Sequence, residues 1–410
     1  MKYVELSVSY YNFLPEVRGL MELPSDVIIH DTTLREGEQA AGVVYRPEDK
    51  LYIAKLLDEV GVQQIEAGFP AASKGEREAL KMIVREGLNA KIFGFARAVK
   101  SDIDAVADVG AYGLVMSFPP SDIQLKYKLK ISREEYYGRA VELVEYAKNR
   151  GLYITFSAED STRADLDFLI EVFNGIVEAG CDRLRIVDTL GCIHPTAMRF
   201  LIKRIRESLK KKVPIEVHCH NDHGLAVANT LAAVEAGAEV LSTSVLGLGE
   251  RCGLAPTEEV IIALRNLYGL GNFRTEKLYK LCREVERITG FVIPPHKPVV
   301  GANAFAHASG IHQHAVLENP ICYEPYPPEM VGQTRRLVIG KLSGRHAIKA
   351  KLAELGIPAT EEEVSRIVEL VKSLSEERRS PLSDREFVEI VERVKGSLLT
   401  TRASSHPHHS

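Results

Sequence analysis

Residues 214–222 read Pro-Ile-Glu-Val-His-Cys-His-Asn-Asp, an apolar, β-branched segment that runs directly into polar residues. The pattern predicts a buried strand followed by a loop. Side chains alternate between the two faces of a strand, so His218 and His220 point the same way and Cys219 points away as a packed thiol. Two imidazoles aimed at one point supply half of a site for Zn, Mn, Fe or Co. An isolated His-x-His is more often a polar strand end, so the surrounding sequence must decide.

The same unit of strand, polar loop and helix recurs along the chain. Its predicted strands are 27–30, 64–68, 91–95, 112–117, 152–157, 183–187, 214–218 and 240–245, and its predicted helices are 47–60, 74–86, 101–109, 132–149, 164–178, 196–208, 225–236 and 257–268. Such alternation implies parallel strands, because each return crosses over through a helix. Eight units in about 250 residues are typical of a (β/α)8 TIM barrel in the α/β class. An open doubly wound sheet is the competing fold, but no glycine-rich dinucleotide motif follows the first strand.

The sequence outside these units predicts four further segments. Residues 1–25 are a lead-in to the barrel domain at 26–290. Residues 291–335 interrupt the rhythm with prolines and carry several histidines, which favours a lid or linker subdomain. Residues 336–396 have amphipathic helical patterns, which predict a small α-helical C-terminal subdomain. Residues 397–410 end in a low-complexity, histidine-containing tail that we expect to be disordered and without function.

Charge and composition exclude several classes of protein. The formal net charge of −4 gives no sign of a nucleic-acid-binding surface. No apolar run is long enough to span a membrane, and the N-terminus lacks the features of a signal peptide. The six cysteines are widely spaced and contain no Cys-x-x-Cys, which fits a reducing compartment. We therefore expect a cytoplasmic protein that binds neither nucleic acid nor membrane.

The polar segments of the chain fall where a barrel would need them. Active-site groups of TIM barrels come from the C-terminal ends of the strands. Polar or glycine-rich segments follow six predicted strands, at 30–39, 68–70, 157–160, 188–191, 218–222 and 247–253. This agreement makes the two histidines part of a predicted active site.

Three motifs carry a resemblance to a known family: Asp31-Thr-Thr-Leu-Arg35-Glu36-Gly-Glu-Gln39, His218-Cys-His220-Asn-Asp and Gly247-Leu-Gly-Glu-Arg-Cys-Gly253. With them, residues 26–395 resemble the 2-isopropylmalate synthase/homocitrate synthase family of acyl-CoA condensing enzymes, metal-dependent barrels related to hydroxymethylglutaryl-CoA lyase. Residues 303–312 and 340–346 match the same family. The resemblance implies that the chain adds the acetyl group of acetyl-CoA to the ketone of a 2-oxo acid and then hydrolyses the CoA thioester.

The resemblance also implies roles for individual residues. Glu36, His218 and His220 would hold a divalent metal such as Mn, Mg, Zn or Co. The implied catalytic residues are Arg35, Glu159, His312, His307 and Tyr323, and the implied substrate-binding residues are Arg35, Gln39, Phe95, Ser157 and Thr189. Among these, Arg35 would stabilise the developing oxyanion, and Thr189 would hold the substrate carboxylate.

The sequence signals for the 2-oxo acid conflict. Residues 68–73 and 94–98 look like isopropylmalate synthases. Homocitrate synthases of lysine biosynthesis usually hold a second carboxylate with a histidine near Phe95 and an arginine near Thr155, and both are absent here. Residues 245–256, in contrast, resemble homocitrate synthases.

Chain length adds a further signal, because leucine-inhibited isopropylmalate synthases carry an additional C-terminal domain for which residues after 395 leave no room. We therefore expect a homocitrate synthase that uses 2-oxoglutarate. The alternatives, in order, are 2-isopropylmalate synthase with 2-oxoisovalerate, citramalate synthase and Re-type citrate synthase.

Two other classes remain open: a metal-dependent C–C lyase and a barrel that only binds a metabolite. The histidine-rich segment and the helical C-terminus disfavour a lyase, and the intact set of site residues disfavours a binding protein. The resemblance further implies a homodimer in which lid residues reach the site of the partner subunit.

Overall fold

The computed structural model describes residues 7–404, with side chains over 7–396, and these residues form two compact units. The first unit is Tyr10–Ile293. The second unit begins at Pro294 and also includes residues 7–9.

Eight parallel strands of the first unit close into a barrel, with the last strand paired to the first. They are β1 (Ile28–Asp31), β2 (Gln64–Glu66), β3 (Lys91–Arg97), β4 (Gly113–Ser117), β5 (Tyr153–Ala158), β6 (Arg183–Asp188), β7 (Ile215–Cys219) and β8 (Val240–Thr243). A helix follows each strand, so the predicted TIM barrel is confirmed.

The barrel helices are α1 (Pro47–Val60), α2 (Lys74–Glu86), α3 (Lys100–Asp108), α4 (Arg133–Asn149), α5 (Leu166–Glu178), α6 (Pro195–Ser208), α7 (Ala226–Glu235) and α8 (Thr257–Ala263). Most strand and helix bounds agree with the sequence prediction within two residues. The exception is α8, which continues as a wider π-helical turn over Leu264–Tyr268. A further helix, α9 (Leu278–Thr289), ends the unit.

Short-range sequence signals explain why these helices begin where they do. The side chain of Ser73 accepts a hydrogen bond from the backbone N–H of Glu76, and Ser132 does the same for Glu135. These contacts satisfy amides that have no partner inside the helix. Pro47 lies in the first turn of α1, where its missing N–H costs nothing.

Part of the predicted lead-in belongs to the barrel unit. The guanidinium of Arg18 donates a hydrogen bond to the carbonyl oxygen of Leu267 at 3.0 Å. The backbone N–H of Glu22 donates one to the carbonyl oxygen of Glu235 at 2.7 Å. Residues 10–25 therefore pack with the barrel.

The second unit combines the predicted lid and helical subdomains. It contains β9 (Ala306–His307), β10 (Arg336–Leu337), α10 (Gly310–Glu318), α11 (Arg345–Glu354), α12 (Glu361–Arg378) and α13 (Asp384–Ser404). β9 and β10 form a two-stranded parallel sheet. Because this pairing joins 291–335 to 336–396, the two predicted subdomains form one unit.

The predicted disordered tail overlaps the last helix. α13 continues through 397–404, where no glycine or proline interrupts it, so the prediction of disorder is wrong for these residues. Residues 405–410 lie outside the described part of the chain. Within residues 7–404, no helix is long and apolar enough to cross a membrane.

The contact between β4 and its neighbours gives a test of the barrel packing. A methyl group on Gly113 would overlap the Phe93 ring and lie 2.9 Å from the carbonyl oxygen of Tyr153. We expect Gly113→Ala to destabilise the barrel by about 1–3 kcal/mol through overpacking. Thermal unfolding of the purified variant measures this loss.

Gly138 provides the matched control, because it is exposed on α4 and a methyl group there would meet nothing within 4 Å. We expect Gly138→Ala to be neutral or stabilising by up to about 1 kcal/mol, since alanine favours the helix. Equal melting temperatures for the two variants would contradict the packing described here.

Candidate active site

A cavity of about 260 Å³ opens at the C-terminal ends of the barrel strands. Its lining residues are Arg35, Glu36, Gln39, Phe95, Ser117, Ser157, Glu159, Arg185, Val187, Thr189, His218, His220, Glu250 and Arg251. Every barrel residue that the sequence analysis assigns to the site is in this set. The structure thus brings together nine predicted residues that come from five different strands or the loops after them.

Glu36, His218 and His220 form a group that can hold a metal ion. One ligand atom from each lies within 4.8 Å of the others, and all three side chains are buried. The Nε2 atoms of His218 and His220 face each other at 3.2 Å, and Nε2 of His220 lies 3.8 Å from Oε1 of Glu36. Nδ1 of His218 lies 2.8 Å from the Ser242 hydroxyl, which fixes the orientation of the ring.

Burial keeps both imidazoles in the form that binds metals. It lowers the pKa of His218 well below its usual range, and the positive charges nearby act in the same direction. Burial likewise lowers the pKa of His220. Two neutral imidazole nitrogens facing one another, with a carboxylate beside them, fit a divalent cation. Cys219 lies between them in sequence but is fully buried, and burial raises the pKa of its thiol.

Arg35 is held between two carboxylates, one of which belongs to the candidate metal-binding group. It forms ion pairs with Glu36 and with Glu66, whose Oε1 lies 2.5 Å from Nε of Arg35. Its guanidinium carbon also lies 4.7 Å from the centre of the Phe95 ring, a cation–π distance. The side chain therefore has a fixed position at the cavity wall.

Glu66 joins Arg35 to a second arginine, Arg185, whose Nη1 lies 2.9 Å from Oε2 of Glu66. Burial alone would raise the pKa of Glu66, but the charges of the two arginines hold it at about 2. Sequence reasoning missed both residues. The available signal was the alternation of Arg183 and Arg185 with apolar residues along β6, which points charged side chains into the barrel.

Two further predicted residues make specific contacts at the rim. The hydroxyl oxygen of Thr189 accepts a hydrogen bond from the backbone N–H of Asp160 at 2.7 Å. The hydroxyl hydrogen of Thr189 therefore remains available as a donor. The oxygens of Glu159 lie 2.6 and 2.8 Å from Nζ of Lys128, and Ser117 donates to one of them at 3.3 Å. Lys128 and Ser117 were not predicted as site residues.

The remaining predicted residues lie in the second unit. The rings of His312 and Tyr323 stack there with their centres 3.9 Å apart. His307 is buried instead, with its Nε2 3.1 Å from Oε1 of Glu324, which Arg335 also binds. The structure therefore groups His312 with Tyr323, whereas the ring of His307 contacts the buried carboxylate of Glu324. A role for these three residues at the barrel cavity stays a prediction.

Comparison with known proteins places this architecture in a family. Residues 26–285 match the HMGL-like family, and residues 299–379 match the family described as "Homocitrate synthase post-HMGL domain-like". A solved structure of an HMG-CoA lyase from Bacillus subtilis superimposes with a TM-score of 0.61 at 20% sequence identity, covering 67% of this chain and 98% of the lyase. At that identity the likeness shows the fold alone.

Curated relatives are much more similar in sequence. Homocitrate synthase AksA of Methanopyrus kandleri is 51% identical over 91% of this chain and 94% of its own length. A 2-isopropylmalate synthase of Methanocaldococcus jannaschii is 48% identical over 92% of this chain and 73% of its own length. The (R)-citramalate synthase CimA of the same organism is 46% identical over 91% of this chain and 76% of its own length. The chain therefore belongs to the HMGL-like family, within a group of sequences named homocitrate, 2-isopropylmalate and citramalate synthases.

Proposed function

We propose that this protein condenses acetyl-CoA with a 2-oxo acid and then hydrolyses the CoA thioester, acting as a homocitrate synthase on 2-oxoglutarate. One observation carries the proposal: Glu36, His218 and His220 converge in the same cavity as Arg35 and Thr189. The names of the relatives support the class of reaction. The free cysteines and the widely spaced pattern they form fit a cytoplasmic enzyme.

Glu36, His218 and His220 would hold a divalent metal such as Mn, Mg, Zn or Co. Such an ion acts as a Lewis acid toward the ketone and carboxylate of a 2-oxo acid. Three protein ligands leave further coordination positions for substrate and water. The neutral imidazoles and the single carboxylate of this site suit that use.

The chain supplies the fixed charges around the reacting ketone. As the acetyl methyl carbon bonds to the ketone carbon, negative charge develops on the ketone oxygen. Arg35 is positioned by Glu66 and Phe95, so it can stabilise this charge without first reorganising. Thr189 has a hydroxyl hydrogen free to donate to the substrate carboxylate.

A base must also remove a proton from the acetyl methyl group before the carbon–carbon bond forms. Glu159 lies in the cavity and is oriented by Lys128 and Ser117. We assign the remaining acid–base work to the stacked pair of His312 and Tyr323, brought from the second unit of a partner subunit in a homodimer. Water then attacks the thioester carbonyl, and the CoA thiol leaves.

The substrate is tested by release of CoA thiol with Mn²⁺ against 2-oxoglutarate, 2-oxoisovalerate, pyruvate and oxaloacetate. We expect the highest kcat/KM with 2-oxoglutarate. A preference for 2-oxoisovalerate would instead assign the chain as a 2-isopropylmalate synthase. Metal-dependent cleavage of a hydroxyacyl-CoA without condensation would make it a lyase.

Replacing His218 by alanine tests the metal ligands. We expect His218→Ala to lose bound metal and turnover together, because only two of the three proposed ligands, Glu36 and His220, remain and they bind the ion too weakly. Metal content is measured by elemental analysis after gel filtration, and turnover by thiol release. Cys219→Ala is the matched control, since that side chain points away from the site, and it should keep both. Full metal occupancy in His218→Ala would refute the ligand assignment.

Replacing His312 by alanine tests the proton-transfer step. We expect His312→Ala to keep metal and 2-oxo acid binding but to slow exchange of the acetyl-CoA methyl protons with D₂O by about 100-fold or more. His314 lies on the same helix and stacks on His346, so His314→Ala is the control and should exchange normally. An unchanged exchange rate in His312→Ala would remove it from the acid–base set.

The proposed homodimer has its own test. Mixing inactive Glu36→Ala and His312→Ala proteins under conditions of subunit exchange should restore part of the activity, because hybrid dimers contain one site with both residues intact. Absence of rescue, despite exchange demonstrated with labelled subunits, would show that His312 acts within its own chain.

A further inference from the structure

A cluster of charged side chains fills the barrel below the metal ligands. Arg183, Arg185, Glu66 and Glu216 are each 1% exposed or less. Nη2 of Arg185 lies 2.6 Å from Oε1 of Glu216, and Nε of Arg183 lies 3.0 Å from Oε2 of the same carboxylate. Buried charges are costly unless paired, so the composition of this cluster needs a physical reason.

The cluster contains more positive than negative charge. Its guanidinium groups and carboxylates are Arg35, Arg183 and Arg185 against Glu66 and Glu216. The nearby Glu36 is committed to the metal in the proposed function. His30 adds no negative charge and, because burial lowers its pKa, no positive charge either. With Glu36 assigned to the metal, three guanidinium groups therefore share the two carboxylates of Glu66 and Glu216.

Arg185 is the member of the cluster that meets the cavity. It lines the cavity wall, whereas Arg183 and Glu216 do not. Its Nε–H has no hydrogen-bond partner among the described residues although the side chain is 1% exposed. A buried donor that lines a cavity and lacks a partner calls for an acceptor from a ligand.

The depth of Arg185 sets the length of that ligand. Val187 pairs in register with His218, so it lies at the level of the metal ligands. Arg185 is two residues closer to the start of β6, so its Cα lies roughly 6–7 Å further back along the strand from this level. Two methylene groups and a carboxylate, with bonds of about 1.5 Å and a hydrogen bond of about 2.9 Å, span a similar depth.

We propose that Arg185 is a specificity-determining residue that receives the second carboxylate of a dicarboxylic 2-oxo acid at the floor of the cavity. The inference rests on the proposed function, which anchors the other end of the substrate at the metal ligands. A carboxylate there supplies both the missing negative charge and the acceptor for Nε–H. A branched aliphatic group would leave both needs unmet, and only Phe95 and Val187 among the lining residues offer it large apolar contacts.

The first test compares two ligands of the unmodified protein. Calorimetric titration with Mn²⁺ present and acetyl-CoA absent measures the Kd of 2-oxoglutarate and of 2-oxo-5-methylhexanoate, in which an isopropyl group replaces the second carboxylate. A charged hydrogen bond to the carboxylate should make 2-oxoglutarate bind at least about tenfold more tightly. Equal affinities would overturn the proposal.

The second test uses a pair of charge-balanced double variants. Arg185→Gln with Glu216→Gln removes one positive and one negative charge, and Arg183→Gln with Glu216→Gln removes the same charges away from the cavity wall. We expect the first variant to weaken 2-oxoglutarate binding at least about tenfold while leaving binding of the aliphatic analogue within about threefold. The second variant should leave the preference intact. A retained preference in the first variant would refute the role of Arg185.

Arg185→Lys serves if the double variants do not fold, because it keeps the charge of the cluster. An ammonium has three N–H donors and a guanidinium has five. Hydrogen bonds to Glu66 and Glu216 therefore leave fewer donors of a lysine free for the substrate carboxylate. The preference for 2-oxoglutarate should fall, and an unchanged preference would overturn the proposal. Failure of the proposed function would give a different result from failure of this inference. In that case no 2-oxo acid would cause release of thiol from acetyl-CoA, either with arginine or with another residue at position 185.

Discussion

The ion pairs that Glu66 makes with Arg35 and Arg185 hold the two halves of the site in a fixed relation. One arginine contacts Glu36 of the candidate metal group, and both arginines line the cavity. Glu66 remains ionised because both positive charges lower its pKa to about 2 despite full burial. Loss of this carboxylate would take from each of two buried guanidinium groups one of the two carboxylates that it contacts, and removing one partner of a buried ion pair is strongly destabilising.

The barrel supports this arrangement because its strands are short and end at one rim. The candidate metal ligands come from the loop after β1, from β7 and from the residue directly after it, and the hydroxyl of Thr189 follows β6. Residues that are far apart in sequence thus reach one cavity from the ends of different strands. The relatives named as homocitrate, isopropylmalate and citramalate synthases are 46–51% identical to this chain over the aligned residues. Proteins that share a fold can carry different activities through differences in the side chains of the site.

Much of the fold could be predicted from the sequence because the hydrophobic periods of strands and helices are regular and the turn signals are strong. The convergence of His218 and His220 could also be predicted, since they lie two residues apart at the end of a strand and share one face. Glu66, Arg185 and Lys128 were missed for different reasons. The first two lie at strand positions where barrels normally carry apolar side chains, and Lys128 meets Glu159 only through the fold. The helix at 397–404 was not predicted because these residues directly precede the low-complexity ending, although they contain no glycine or proline.

The buried amide of Gln313 has a consequence for the neighbouring His312. Its nitrogen donates to the carbonyl oxygens of His307 and Val338, 2.8 and 2.7 Å away, so α10 is tied to the segments that contain β9 and β10. The backbone that carries His312 is therefore braced from two sides, and its ring keeps only its own side-chain rotations. A histidine mounted in this way loses only side-chain entropy when its ring is ordered by a contact, because its backbone is already held.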